Sequence, residues 1–160
     1  MSLSDLSSIL WRLRELLELL LFKLEEEQLL LASGRTRWVA HATREVELVL
    51  DQIRQGEVIR AVHTQAVARD LGVPVDVSLA NLAAHAPAPW GELLRQHRQA
   101  FLALTADVTA LAKGNRDLLT RGQRAARETM MMVAGSIETY GSRGETVPVS
   151  RPARLVDEAM

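Results

Sequence analysis

The chain has 160 residues, of which 48% are apolar and 24% are charged, and its formal net charge is −1 at pH 7. This length and composition predict one soluble domain with enough apolar side chains to form a buried core. A net charge near zero excludes a general electrostatic attraction to nucleic acid or acidic membranes. Leu, Ala, Arg, Glu and Gln dominate the chain and only 4% of its residues are aromatic, so the predicted fold class is all-α.

The first predicted helix spans about residues 4–32. Ser4 is a residue type that caps helices, and Gly34 ends the pattern because Gly adopts the left-handed conformation cheaply. Leucines recur between them in steps of three and four residues, which keeps one face of a helix apolar for about seven turns. This seam predicts coiled-coil-like packing, and it consists of Leu3, Leu6, Leu10, Leu13, Leu17, Leu20 and Leu24.

The second predicted helix spans about residues 37–71 and stops at Gly72 and Pro74. Gly56 interrupts its pattern at a cost of about 1 kcal/mol relative to Ala, which predicts a slight bend or close packing. A short helical turn follows at about 78–85. The apolar positions of the second helix are Val39, Ala42, Val46, Val49, Ile53, Ile59, Val62, Ala66 and Leu71.

The third predicted helix spans about residues 89–140, with Pro89 suited to its first position. Its seam runs through Trp90, Leu94, His97, Phe101, Leu104, Val108, Leu111, Asn115 and Leu118. Beyond Leu118 the large apolar residues move one position along the chain. One residue corresponds to about 100° of rotation, so we expect the apolar face to turn there.

These lengths predict an elongated up-down-up bundle of three long helices over residues 1–140. The third helix is several turns longer than the other two, so its end, roughly residues 119–140, is expected to project beyond them. Residues 141–160 lack a sustained period and are predicted to be a mobile tail.

The shifted stripe at the end of the third helix is the predicted binding site. Met131 and Met132 lie beside it, and methionines are flexible, polarizable side chains that repack around different apolar partners. The stripe is therefore predicted to bind another protein. Ordinary core packing or a weak homodimer seam stays open as the alternative, in which case the chain is a self-associating coiled-coil structural or adaptor protein. The predicted site residues are Leu118, Leu119, Ala126, Met130, Val133, Ile137 and Tyr140.

Catalytic and metal-binding chemistry has little support in the sequence. The histidines His41, His63, His85 and His97 show no paired spacing typical of metal ligands, and the chain has no cysteine. Neither a Gly-rich phosphate loop nor a nucleophile elbow is present. The acidic run at residues 25–27 is interpreted as a solvated face, since adjacent helical residues point in different directions. We therefore predict no enzyme activity, no cofactor and no metal.

A basic cluster lies at residues 113–127, where five basic side chains stand against one acidic side chain. Nucleic-acid binding would use such a cluster, but no recognition motif or interleaved aromatic residue accompanies it. A solvated face, or a patch that complements an acidic protein, is the preferred interpretation. We therefore predict no nucleic-acid partner.

The N-terminal residues have no basic region or small-residue cleavage site, so they do not resemble a signal peptide. The most apolar run, residues 16–22, is interrupted by Glu18 and is too short to span a bilayer. The sequence therefore predicts a cytoplasmic protein without membrane insertion.

Several short motifs along the chain resemble the FlgN family of flagellar export chaperones. They begin with the leucine-rich helix that closes in Glu-rich turns (residues 16–31), followed by Leu71-Gly72 and then by Ser78-Leu79 with Leu82. Later come the run from Asn115 to Leu119 and the run from Thr139 to Gly141, with Gly144 closing it. The resemblance covers nearly the whole chain.

The resemblance implies a cytosolic chaperone for hook–filament junction proteins, also called hook-associated proteins. Such a chaperone binds their C-terminal helical segments before export and delivers them to the flagellar type III export gate. The family keeps client binding toward its C-terminal part, which corresponds here to residues 118–140. This is the region that the apolar stripe also indicates.

Overall fold

The computed structural model describes the backbone of residues 2–139 and the side chains of residues 2–134. Over this range the chain is helical and contains no strand, which confirms the predicted all-α class. A short 3-10 helix, Thr36–Trp38, precedes the second long helix. The predicted tail, residues 141–160, lies outside the described residues. The α-helices of the described range are α1 (Leu3–Ala32), α2 (Val39–Asp70), α3 (Leu79–His85) and α4 (Trp90–Thr139).

The cap of α1 is Ser2, not Ser4 as the sequence suggested. The Ser2 hydroxyl accepts a hydrogen bond from the Asp5 backbone N–H at 3.1 Å. The Asp5 carboxylate in turn accepts from the Ser2 backbone N–H at 2.8 Å. This reciprocal capping box satisfies two N–H groups at once, whereas Ser4 lies inside the helix.

The leucine seam of α1 forms one wall of the core. Its members from Leu6 to Leu24 are buried except Leu17, and Leu16 is buried beside them. Near the start of α1, Leu6 and Leu10 pack with Val67 and Ala68 at the end of α2. This cluster also contains Leu82 and Ala83 of α3 and Leu94 of α4.

A second core cluster forms near the other end of α1. Leu20 and Leu24 pack there with Val46 and Val49 from the first turns of α2. The start of α1 thus meets the end of α2, and the end of α1 meets the start of α2. The two helices are therefore antiparallel.

The second half of α2 does not bury the residues that its apolar pattern suggested. Ile59 and Val62 are each 50% exposed. The core-facing positions after Ile53 are taken by Gly56 and Thr64 and then by Val67, which continue the 3.6-residue period. Polar and small residues at those positions concealed the period in the sequence.

Gly56 of α2 packs against Leu13 of α1. A Cβ atom at this position would lie 2.7 Å from Cδ2 of Leu13, which is buried. The glycine therefore permits a close approach of the two backbones. Close packing, one of the two outcomes expected at this residue, accounts for it.

The chain divides into two units, Met1–Leu118 and Leu119–Met160, and the boundary falls within α4. The first unit contains α1, α2, α3 and the part of α4 up to Leu118, together with both core clusters. The described part of the second unit is the remainder of α4.

Candidate binding surface on the last helix

The predicted stripe lies on α4, which is helical without a break from Trp90 to Thr139. Every side chain from residue 119 to residue 134 is exposed, Ala126 included. Leu119 exposes 42% of its surface, Val133 54% and Met130 68%. These residues of the predicted site therefore present apolar surface to solvent.

The other three residues of the predicted site are not among these exposed side chains. Leu118 is half-buried and belongs to the unit Met1–Leu118. Ile137 is helical in its backbone, but its side chain lies outside the described residues. Tyr140 lies outside them altogether.

The local sequence explains why the exposed segment is helical. Arg, Ala, Gln and Met, which are good helix formers, occupy most positions from 121 to 132. The Thr129 hydroxyl donates a hydrogen bond to the Ala125 carbonyl at 2.9 Å, so it is satisfied within the helix. Gly122 weakens the segment, because it lacks a side chain and has open space around its Cβ position.

A one-residue step in the apolar pattern follows Leu118. Eighteen residues make about five turns of an α-helix, so Leu119 repeats the angular position of Phe101, and Met130 that of Ala112. A heptad pattern drifts by about 20° per heptad on a straight helix, and the one-residue step offsets that drift. The step is thus a stutter in the heptad pattern, and the expected turn of the apolar face beyond Leu118 stays a prediction.

The three methionines do not form one surface. Met131 and Met132 are as exposed as Met130, but successive residues on a helix differ by about 100°. Met132 therefore lies about 200° from Met130, away from Val133. A single helix packed on the stripe would contact Met130 and leave Met132 uncovered.

One border of the stripe is basic. On the helical period Arg127 lies about 60° from Met130, and Arg124 lies about 60° further round. Both side chains are exposed. Glu128 is the one acidic residue between positions 119 and 134. The border therefore favours a partner with acidic side chains beside its apolar residues.

A buried polar layer of the first unit is centred on Asn115, four residues before the exposed Leu119. Asn115, which is 4% exposed, donates from Nδ2 to the Leu24 carbonyl at 2.9 Å and to Glu27 Oε2 at 3.4 Å. The other Glu27 oxygen accepts a hydrogen bond from the Thr43 hydroxyl at 3.0 Å. Glu27 thereby links α1, α2 and α4, so its interpretation as part of a solvated face is wrong.

Lys23 adds a second link between α1 and α2 near this layer. Its Nζ donates to Glu45 at 2.9 Å and to Glu26 at 3.2 Å. These hydrogen bonds raise the pKa of Lys23, and the bond from Lys23 lowers the pKa of Glu45. His41 also approaches Glu45, at 3.2 Å. The network fixes the end of α1 to the start of α2.

An apolar groove with a volume of about 380 Å³ opens within the first unit. The ion pair between Glu57 and Arg60, at 2.8 Å, lies among its lining residues. The sequence offered no signal for this groove, because its walls come from separate helices. The apolar lining residues are Leu10, Leu13, Leu17, Ile53, Leu79 and Phe101.

No group of three or more His, Asp or Glu side chains is placed to hold a metal ion within the described range. None of the helices, as far as they are described, has the length and apolar character needed to cross a bilayer.

Comparison with known families decides the identity of the chain. The model of the FlgN family, described as FlgN protein, matches residues 1–148. The chain belongs to the FlgN family. No curated protein and no solved structure matched it.

Membership of the FlgN family confirms the resemblance that the short motifs indicated. FlgN proteins are flagellar export chaperones and are not known enzymes. The match to the FlgN model includes the whole exposed stripe and the polar layer of Asn115. In this FlgN chain the motif from Asn115 to Leu119 therefore joins a buried polar residue to the first exposed residue of the stripe.

Proposed function

We propose that this FlgN-family chain is a cytosolic flagellar type III export chaperone that binds the C-terminal helical segments of hook-associated proteins. It prevents their premature assembly and delivers them to the export gate. The proposed client-binding residues are Leu118, Leu119, Ala126, Met130, Val133, Ile137 and Tyr140. Family membership supports the chaperone role, and the choice of clients and the delivery step rest on the resemblance alone.

The exposed apolar stripe on α4 is the single observation that carries the proposal. An exposed helical segment has no core packing to stabilise it, and Met130 and Val133 are apolar side chains on its surface. Large apolar side chains that stay exposed together on one helix face are typical of an interaction surface. A client helix that covers them removes this surface from water.

The expected strength of the interaction follows from the area available. Burying apolar surface contributes about 25 cal/mol per Å², or about 1.5–3 kcal/mol for a whole large side chain. Leu119, Met130 and Val133 are roughly half-exposed, so each contributes about 1 kcal/mol when a client covers it. Segments that order on binding lose part of this gain. The complex is therefore reversible, as a chaperone that releases its cargo requires.

The basic border of the stripe favours one orientation of the client helix. An amphipathic client helix with carboxylates along one flank would place them beside Arg124 and Arg127. Exposed ion pairs contribute little affinity, at most about 1 kcal/mol each, but they favour one alignment of the two helices. Client binding is therefore expected to weaken moderately as the salt concentration rises.

We also propose that α1, α2 and the part of α4 up to Leu118 form an up-down-up bundle. The shared cluster of Leu6 and Leu94 supports this arrangement at one end. The hydrogen bond from Asn115 to the Leu24 carbonyl supports it at the other.

A binding assay with purified hook-associated proteins tests the proposed function. The full chain is immobilised and offered each hook-associated protein, both intact and lacking its C-terminal helical segment. We expect the intact protein to be retained and the truncated protein to pass through. Retention of the truncated protein would contradict the proposed client segment, and failure to retain any hook-associated protein would contradict the chaperone role.

A further inference from the structure

The methionines of the chain are concentrated in the segment of α4 that carries the client-binding stripe. The five methionines stand at positions 1, 130, 131, 132 and 160, and the chain has no cysteine. Since no methionine occurs between residues 2 and 129, neither core cluster of the first unit contains one. Sulfur-containing side chains are the ones that peroxides oxidise most readily. Within residues 2–139, such side chains therefore occur only on α4.

All three methionines of this segment are open to a dissolved oxidant. Met130 exposes 68% of its surface, Met131 76% and Met132 70%. Every other side chain from residue 119 to residue 134 is exposed as well, so the thioethers lack the shielding that core packing gives to a buried methionine. A peroxide reacts with a thioether only where it can reach the sulfur atom. We therefore expect comparable rates of oxidation at the three positions in the free chain.

We propose that conversion of Met130 to methionine sulfoxide is a modification that switches off client binding. In this step a lone pair of the thioether sulfur attacks one oxygen of a peroxide, a sulfur–oxygen bond forms and the oxygen–oxygen bond breaks. With hydrogen peroxide as the oxidant, sulfur loses two electrons, and the departing oxygen takes the proton of the transferred hydroxyl and leaves as water. Reductases return the sulfoxide to the thioether, so the Met130 switch is reversible. The switch rests on the proposed function, because it takes the stripe as the client site.

The new oxygen lowers the affinity for a client because it is polar where the stripe is apolar. Oxidation changes a flexible apolar side chain into a polar one with a hydrogen-bond acceptor. The helical neighbours of Met130 along the stripe, Ala126 and Val133, have no side-chain donor to satisfy it. Arg127 lies about 60° round the helix, but a bond from its guanidinium to the sulfoxide would compete with the client carboxylates proposed for the same side chain. A covering client helix therefore buries the oxygen at a cost that should raise the dissociation constant about tenfold.

Met131 and Met132 provide an internal reference for this effect. They lie about 100° and about 200° from Met130 on the helix, so neither belongs to the face that carries Ala126 and Val133. Oxidation at these two positions leaves the stripe apolar. A bound client is therefore expected to slow the oxidation of Met130 at least about fivefold, and to slow that of Met132 less than about twofold.

Titration of the full chain before and after treatment with hydrogen peroxide tests the Met130 switch. The peroxide is removed, sulfoxide is assigned to each methionine by tandem mass spectrometry, and the chain is titrated with a labelled C-terminal helical segment of a hook-associated protein. The oxidised native chain should bind about tenfold more weakly than the untreated chain. Met130→Leu conserves volume without the reactive sulfur and should bind equally well before and after treatment, within about twofold. Met131→Leu/Met132→Leu is the matched control and should lose affinity on treatment as the native chain does.

The outcomes separate the switch from the proposed function. An oxidised native chain that binds as tightly as the untreated chain would overturn the switch alone, and so would a Met130→Leu chain that still loses affinity about tenfold on treatment. A bound client that leaves the oxidation rate of Met130 unchanged would overturn it too. An untreated chain that does not bind the segment would contradict the proposed function and the switch with it. Far-UV circular dichroism of the oxidised chain should match that of the untreated chain, since the core clusters contain no methionine, and a lost helical signal would assign the weaker binding to unfolding and overturn the switch.

Discussion

Replacing Asn115 in two ways should lower stability by very different amounts. Asn115→Asp exchanges the amide for a carboxylate of nearly the same shape. The donor that reaches the Leu24 carbonyl and Glu27 disappears, and a second negative charge lies within about 3.5 Å of the Glu27 carboxylate. A buried charge without a partner costs about 3–5 kcal/mol. In a chain of this size that lowers the melting temperature by roughly 10 °C or more.

Asn115→Leu replaces the amide with an apolar side chain of similar size. The Asn115 Oδ1 atom has no hydrogen-bond partner among the described residues, and Glu27 keeps its bond from Thr43. Substitutions that conserve volume and leave no unpaired group usually cost less than about 1.5 kcal/mol. Thermal unfolding of both variants, followed by far-UV circular dichroism near neutral pH, measures the difference. Equal losses in the two variants would refute the role assigned to the Asn115 amide.

Two further predictions concern His97 and Gly122. Burial lowers the pKa of His97 below its usual 6.5, with a smaller contribution from Arg14, so the unfolded chain binds more protons than the folded chain. Stability should therefore fall as the pH drops below about 6.5, by at most about 1.4 kcal/mol per pH unit, and His97→Leu should flatten this slope in urea unfolding. Gly122→Ala should stabilise the helix around it by about 0.5–1 kcal/mol, because the added methyl group meets no neighbour within 4 Å. Hydrogen exchange across residues 119–134 should slow in that variant, and unchanged exchange would contradict the prediction.

The helices with regular apolar periods could be predicted from the sequence. Leucines in steps of three and four residues on α1 indicated the face that is buried, since only one side of a helix collects residues at that spacing. The leucine-rich sequence of α1 also contains leucines that are not buried in the core. Leu16 is buried while Leu19 is 39% exposed, and only the positions of α2 and α4 decide between them.

The face that α2 buries could not be predicted in its second half. Its core positions are held by Gly56 and Thr64, whose polarity or size conceals the period. The apolar residues Ile59 and Val62 suggested the wrong side instead. Hydrophobic periodicity identifies a buried face only where the buried residues are apolar.

The polar layer of Glu27, Thr43 and Asn115 could not be predicted from the sequence either, because its members lie far apart in the chain. Glu27 is 16 residues from Thr43 and 88 residues from Asn115. A run of three glutamates is usually solvated, and nothing local marks the third as partly buried. The stripe from Leu119 to Val133 was predicted from the one-residue shift of the apolar pattern and from the length of the third helix, and the sequence contains both properties.

The most direct test of the central claim is a titration of the full chain with a labelled C-terminal helical segment of a hook-associated protein. Met130→Glu/Val133→Glu places two charges on the stripe and should weaken binding at least about tenfold, because a buried charge without a partner is costly. Leu29→Glu/Leu48→Glu adds the same charge at exposed leucines of α1 and α2 and should change the affinity by no more than about threefold. Equal binding by the native chain and the stripe variant, with both chains folded, would contradict the assignment of client binding to α4.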